Sequence, residues 1–246
     1  MRIAVITDVH ANLPALKAAL ECIRAEGYDA IFHTGDAIAI GPYPAECLDL
    51  LLSTPHTQLV IGNHETYFVN GLPTPPPTWM SVGEVQHQDW THSRLDPQLR
   101  SVLGAWPWAL EDDFEGVKTA FVHYGLERSG REFQPVVRDA GAAELDRVFA
   151  SHDAALLFYG HDHRESDVVG RARYVNPGAL GCHGQAIARY CTVEFHRGQY
   201  RVEHRGVSYD DTELFTAFER RDVPEREFIY RTFFGGRFRT ETKGRP

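Results

Sequence analysis

Asp8-Val9-His10, Gly35-Asp36, Gly62-Asn63-His64-Glu65, His123 and Gly160-His161-Asp162-His163 each follow, or form part of, a short apolar run. Seven side chains in these pieces (Asp8, His10, Asp36, Asn63, His123, His161 and His163) offer oxygen or nitrogen donors. Such donors suit Mn, Fe, Zn or Ni more than a thiolate-loving metal. Asp8 and His10 stand two residues apart at a strand end, so both can point to one side, and His161 and His163 share that spacing. Asp36 is the isolated carboxylate of the set and therefore the natural bridge between two ions. Two ions about 3.5–4 Å apart can clamp a phosphoryl group, activate a hydroxide and stabilise a leaving oxygen. The ordered set implies two divalent ions and phosphoester hydrolysis, with His64 standing outside the ligand count. The chain has 13 histidines, so position alone says little; His33, His56, His87, His92, His152, His196 and His204 read as ordinary polar or satisfied core residues.

The elements that must hold these groups follow from periodicity. Ile3 to Ile6 reads as a strand leading to Asp8, and Leu13, Leu16, Leu20 and Ile23 mark a helix that Gly27 closes. Ala30-Ile31-Phe32 begins a strand leading to Asp36, Pro44 to Leu52 is helical, and Gln58 to Ile61 is a third strand. This βαβαβ order implies a parallel sheet with right-handed crossovers, whose ligands gather at the carboxyl ends of the strands. Asp8, Asp36 and Asn63 all fall there.

Residues 66–116 break the rhythm, with Pro73-Thr74-Pro75-Pro76-Pro77, helix-like stretches at 81–94 and 97–104, and all four tryptophans, Trp79, Trp90, Trp106 and Trp108. This region reads as a cap-like helical excursion, its tryptophans packing the cap in preference to stacking on a base. Strands return at Thr119–Val122, before His123, and at Ala155–Tyr159, before Gly160, with a helix over 139–150 between them. Tyr174–Gly178, Arg189–Phe195 and Tyr200–His204 read as a closing antiparallel run. The C-terminal extension, 210–246, holds a helix over 211–220 and then a basic, glycine-rich end expected to fray. The aromatic residues Phe228, Tyr230, Phe233 and Phe234 within it are placed to dock on the core or on a partner.

At 246 residues, 43% hydrophobic and 24% charged, the chain suits one domain over 1–246. A formal net charge of −9 leaves no basic field to hold extended nucleic acid, which places a nuclease reading last. The start, Met1-Arg2-Ile3-Ala4-Val5-Ile6, runs straight into a strand, and no apolar run is long enough to span a bilayer. Cys22, Cys47, Cys182 and Cys191 lack CxxC spacing and read as free thiols, so a cytoplasmic location without membrane contact is expected. Oligomeric state is not legible.

The order D-x-H, G-D, G-N-H-E, H, G-H-x-H resembles the calcineurin-like metallophosphoesterase superfamily over residues 8–163. Gly41-Pro42-Tyr43-Pro44 and Asn176-Pro177-Gly178 are similar to its bacterial small phosphoesterase branch, which is phosphodiesterase-like. The resemblance implies an α/β fold, a four-layered αββα sandwich of two mixed sheets flanked by helices. It implies one ion on Asp8, His10, Asp36 and His163, and another on Asp36, Asn63, His123 and His161. His64 would then be the catalytic group beside the leaving oxygen, protonating it or stabilising its charge, with Glu65 orienting His64 or nearby backbone. Asn12 matches an asparagine of the D-x-H-x-N element, with helix capping as its other reading. Arg164 is a candidate phosphate contact or a solvated arginine, and His183, in the Gly181-Cys182-His183-Gly184 turn, a candidate at the site mouth.

One departure bears on substrate. Related protein phosphatases and dinucleoside polyphosphate hydrolases carry an acid and an arginine where this chain has Ala39 and Ile40. The arginine grips a terminal phosphate dianion, so its loss leans the expectation towards small, nucleotide-like phosphodiesters. Phosphomonoesterase or protein phosphatase activity is the alternative within the superfamily. A non-catalytic, metal-binding scaffold, as the resembling retromer subunit is, stands as the alternative of another class. Retention of every ligand together with His64 weighs against it.

Overall fold

The computed structural model describes residues 1–237. β1 (Arg2–Ile6) divides its side chains between two faces, as the period of two requires. Ala4 and Ile6 pack against α1 (Leu13–Glu26) through Leu16, Leu20 and Ile23, while Ile3 and Val5 face a second sheet. α1 starts where Asn12 accepts the Ala15 N–H and stops at Gly27, whose φ of +71° is the left-handed turn that ends a helix. β2 (Ala30–His33) pairs parallel with β1; after α2 (Pro44–Ser53), β3 (Thr57–Leu59) pairs parallel with β2. The third strand is shorter than expected because the Ile61 N–H turns away to the Pro107 carbonyl.

The second sheet runs in the order β4 (Ala109–Phe114), β5 (Val117–Val122), β6 (Leu156–Phe158), β8 (Arg173–Pro177) and β7 (Glu165–Val169). The expected antiparallel closing run divides between the sheets. β8 lies parallel to β6 in the second sheet, whereas β9 (Ile187–His196) and β10 (Gln199–Ser208) form a hairpin that joins β1 at the edge of the first. The two sheets meet face to face over Phe32, Phe121, Phe158, Val5 and Val193, with the Phe32 and Phe121 rings stacked at 3.9 Å between centroids. On the far face of the second sheet, Ala120, Leu157 and Tyr174 pack under α6 (Ala142–Val148). The layers therefore read helix, sheet, sheet, helix, as the resemblance implied.

Two further differences from the expectations have physical causes, whereas the helices expected over 81–94 and 97–104 are present. α3 (Asn63–Asn70) begins on a candidate ligand itself, because Gly62 supplies the extended residue before the first turn. α4 (Val82–Ser93), capped by the Ser81 hydroxyl, and α5 (Leu99–Gly104) follow it, and their Leu95, Leu103 and Trp106 neighbours join the buried cluster around α1 and α2. Trp90 and Trp108 are partly buried there, whereas Trp79 is 63% exposed. After α7 (Thr212–Arg220), the segment expected to fray forms α8 (Arg226–Phe233) instead. Its charged residues alternate with Ile229 and Tyr230, which bury against Phe215 and Phe218 together with Phe234, so Tyr230 and Phe234 dock on the chain's own core, Phe233 is partly buried against it and Phe228 stays half exposed. Residues 238–246, where the rest of that expectation falls, lie outside the described residues. No described helix is long and apolar enough to cross a membrane.

Candidate metal centre

The candidate ligands all follow strand ends on one edge of the sandwich. Asp8 and His10 come after β1, Asp36 after β2, Asn63 after β3, His123 after β5, and His161 and His163 after β6. Asp8, His10, Asp36, His161 and His163 adopt left-handed backbone conformations, with φ between +46° and +69°. For residues other than glycine this costs roughly 1–2 kcal/mol each, and such strain gathers at functional sites. Backbone bonds between loops hold it in place: Asp8 N–H to Gly35 O (3.0 Å), His10 N–H to Asp36 O (3.0 Å) and Gly181 N–H to Asp8 O (3.0 Å). Two glycines permit the approach. A Cβ at Gly62 would lie 2.2 Å from Asp36 Oδ1, and one at Gly160 would lie 2.0 Å from Thr7 Oγ1. Beneath the loops the buried Glu65 carboxylate accepts the N–H groups of Gly62, Asp36 and Ala37 at 2.8 Å and of Ile38 at 3.3 Å.

The donors converge as two groups. In one, His10 Nε2 lies 2.8 Å from His163 Nε2, 3.8 Å from Asp8 Oδ1 and 3.8 Å from Asp36 Oδ2. In the other, His123 Nε2 lies 2.9 Å from Asn63 Oδ1, 3.1 Å from His161 Nδ1 and 3.3 Å from Asp36 Oδ2. Asp36 Oδ2 belongs to both. His10 donates Nδ1–H to Ile38 O and His123 donates Nδ1–H to Thr34 O, so the Nε2 of each, when it carries no proton, presents a lone pair inwards. Lone pairs aimed at other acceptors at these separations repel unless a cation or a proton lies between them. Ligand bonds of about 2.0–2.2 Å to one ion put neighbouring donors about 3 Å apart, so this donor set fits divalent metal.

Charge tells the same story. Burial pushes the Asp8 carboxyl up to about 7. Burial also opposes charge on Asp36, yet the surrounding His123, His64 and His10 hold its carboxyl well below the usual range. Burial would likewise lower His123, but Asp36, Asp8 and Glu65 raise it to about 9. Burial holds His161 at about 3 and His163 at about 4, and pushes His10 well down, so these rings stay neutral and free to ligate. Without a cation the site carries protons on Asp8 below about pH 7 and on His123 below about pH 9. A metal ion must displace them. Affinity for Zn or Mn should therefore rise with pH, by up to about 100-fold per unit below pH 7 and about 10-fold per unit from 7 to 9. Chelator-competition titrations at pH 6, 7 and 8 check this; a flat profile would contradict the proton count.

The remaining candidates occupy several positions. His64 is partly exposed (13%) at the first turn of α3, with its N–H on Asp36 Oδ1 (3.0 Å) and its Nε2 3.9 Å from Asp36 Oδ2. Asn12 is buried, caps α1 and donates its amide to Gly181 O and the Tyr209 hydroxyl, which is the geometry of the capping reading. Arg164 is half exposed and paired with Asp139. His183 has its ring between Arg189 and Gln185, so both nitrogens are engaged by protein. Four nearby groups escaped the sequence reading. Gln88 of α4 contacts His64, and Phe233 of α8 lies 5.6 Å from the His163 ring. Arg138 lies 3.8 Å from Asp162, which stands between His161 and His163 in sequence, and the Cys182 thiol shares a cluster with His10 and His163. Burial keeps that thiol well above its ordinary value, hence protonated. These are long-range contacts, and no local pattern announces them.

Comparison with known proteins agrees with this architecture. The chain is 27% identical over 241 residues to the uncharacterized protein MJ0912 of Methanocaldococcus jannaschii, covering 91% of this chain and 94% of that one. The hypothetical protein PH1004 of Pyrococcus horikoshii superposes with a TM-score of 0.78 at 19% identity, covering 96% of this chain and 99% of that one, a likeness of fold. A metallophosphoesterase of Sphaerobacter thermophilus superposes with a TM-score of 0.70 at 26% identity, covering 94% and 98%. The calcineurin-like phosphoesterase superfamily domain model matches residues 1–198, which include every candidate ligand, and the chain belongs to that family of phosphoester hydrolases.

Proposed function

We propose that the protein is a dinuclear-metal phosphodiesterase acting on small, nucleotide-like esters. The observation that carries the dinuclear reading is Asp36 Oδ2, within reach of both His10 and His123, which belong to separate donor groups. Asp8, His10, Asp36 and His163 would hold one ion, and Asp36, Asn63, His123 and His161 the other. Bound there, the ions supply charge neutralisation for the phosphoryl oxygens and a nucleophile at neutral pH. The chain's own residues do the rest. Two buried carboxylates, Asp8 and Asp36, set the charge of the site, and the Nδ1–H bonds of His10 and His123 fix which nitrogen faces it. His64 is partly exposed and has its Nε2 3.9 Å from Asp36 Oδ2, where it can donate a hydrogen bond to the departing oxygen.

The diester preference is supported by what surrounds the ligands. Ile40 is buried and apolar where a guanidinium would grip a terminal dianion. Arg138 and Arg164 stand nearest, but both have carboxylate neighbours, Asp162 and Asp139. A monoanionic diester needs less compensation than a dianionic monoester. The free thiols Cys22, Cys47, Cys182 and Cys191 suit a reducing compartment, consistent with a cytoplasmic setting.

Purified protein loaded in turn with Mn, Fe, Zn, Ni and Mg, and offered bis-p-nitrophenyl phosphate, p-nitrophenyl phosphate and a nucleoside phosphodiester, tests the proposal. The diesters should be turned over with kcat/KM at least about 10-fold above the monoester, a margin of about 1.4 kcal/mol in transition-state stabilisation. Monoester preference would overturn the substrate assignment. Metal-replete protein inert on every ester would overturn the hydrolase reading.

A further inference from the structure

His64 is held from a direction that its own loop does not supply. The Gln88 side chain, buried on α4, places its amide nitrogen 2.8 Å from His64 Nδ1. An amide nitrogen has only hydrogens to offer, so Nδ1 accepts and the ring proton lies on Nε2, the atom 3.9 Å from Asp36 Oδ2. The Gln88 carbonyl oxygen is buried without a hydrogen-bond partner among the described residues. The neighbouring residue explains why the helix cannot slide. His87 accepts the Ile40 N–H on Nε2 (2.8 Å) and donates Nδ1–H to Pro224 O (3.2 Å), pinning α4 between the G-D loop and the segment leading into α8. Position 39, in that same loop, holds a buried alanine with no group to reach the imidazole.

We propose, on the hydrolase reading above, that Gln88 is the positioning residue for His64, fixing its Nε2–H tautomer and ring orientation from the inserted helix. The tautomer decides what the pocket meets. With the proton on Nε2, the ring donates to an ester oxygen, whereas the other tautomer would aim a lone pair at an oxygen that carries negative charge. An acid in the G-D loop would accept Nδ1–H and hold the other tautomer; here a carboxamide about 50 residues on, in a segment absent from the ligand motifs, donates to Nδ1 instead.

The test uses the zinc-loaded full chain, which is diamagnetic. Long-range proton–nitrogen NMR correlations should report His64 as Nε2–H in the parent, a mixture of tautomers in Gln88→Met, and Nδ1–H in Gln88→Glu, whose carboxylate accepts. Gln88→Met keeps the length of the side chain and removes its hydrogen bonds. It should lower kcat on a diester with an alkyl leaving group by about 10- to 100-fold, the scale of losing a group that orients a working histidine. KM should stay within about 2-fold, and so should turnover of the nitrophenyl diester, whose departing oxygen delocalises its charge and gains little from a donated hydrogen bond. In a His64→Ala background, Gln88→Met should change nothing further. An unchanged His64 tautomer in Gln88→Met, or the same loss with and without His64, would overturn the proposal. A parent protein that hydrolyses no ester would sink the hydrolase reading instead, and the NMR arm would still decide the role of Gln88.

Discussion

Asp36→Asn should lower diester hydrolysis by about 1000-fold or more and leave the protein unable to retain two ions. The aspartate is the one side chain whose oxygen faces His10 at 3.8 Å and His123 at 3.3 Å. Asparagine keeps the shape but replaces a shared anionic oxygen by a neutral one, or turns an NH2 towards the bare nitrogens. The charge lost is common to both ions, so the effect is not divided between them. Ligand loss of this kind costs several kcal/mol of transition-state stabilisation, and each 1.36 kcal/mol is about tenfold in rate. The backbone is not the cause, because an asparagine oxygen can still accept the His64 N–H that Asp36 Oδ1 takes at 3.0 Å. Elemental analysis beside kcat/KM on bis-p-nitrophenyl phosphate decides it. Full activity with two ions retained would show that Asp36 is not shared.

Glu65→Ala should unfold the protein at a temperature lower by on the order of 10 °C, the largest stability effect expected from any single site residue. The carboxylate closes four backbone N–H groups, those of Gly62, Asp36, Ala37 and Ile38. Each buried donor left unsatisfied costs about 1–3 kcal/mol, and water admitted to the space reduces the sum to about 4 kcal/mol. For a chain of this size that is about 2–4 °C per kcal/mol. Burial and the charge of Asp36 push the Glu65 carboxyl upwards while the backbone donors pull it back, so the donors are what make the charged form tolerable. The same loss releases the G-D loop, where Asp36, Ala39 and Ile40 all sit at positive φ, so metal retention should fall with stability. Thermal denaturation of the metal-free protein separates the two effects. A shift under 2 °C there would mean that other contacts hold the loop.

Much of this was readable along the chain, and the limits have identifiable causes. Ligands at strand ends were legible because the period-two runs before Asp8, Asp36, His123 and Gly160 are short, apolar and bounded. β7 was not, since Glu165–Val169 alternates exposed and half-buried residues at a sheet edge and carries little apolar signal. β4 hides for the same reason behind Glu111, Asp112 and Asp113. α8 was masked by its arginines and glutamates, although Ile229, Tyr230 and Phe233 lie on one helical face. His87, read along the chain as a polar or satisfied core histidine, is buried with both ring nitrogens engaged, but that it bridges two loops was not legible. Contacts of that kind depend on which loop the fold brings opposite, and no residue near His64 in sequence points to Gln88.

The two sheets contribute unequally to one edge. The first supplies Asp8, His10, Asp36 and Asn63, and the second His123, His161 and His163. Metal bound among them would tie one layer of the sandwich to the other, joining chain positions as distant as 8 and 163. Loops of that length are the costliest to close in an unfolded chain, so such a tie acts as a reversible cross-link, in the manner of a disulfide without oxidation. Chelation would then loosen the seam between the layers at the edge where the candidate ligands gather. With metal held there, cofactor supply and resistance to unfolding would be governed by one and the same equilibrium.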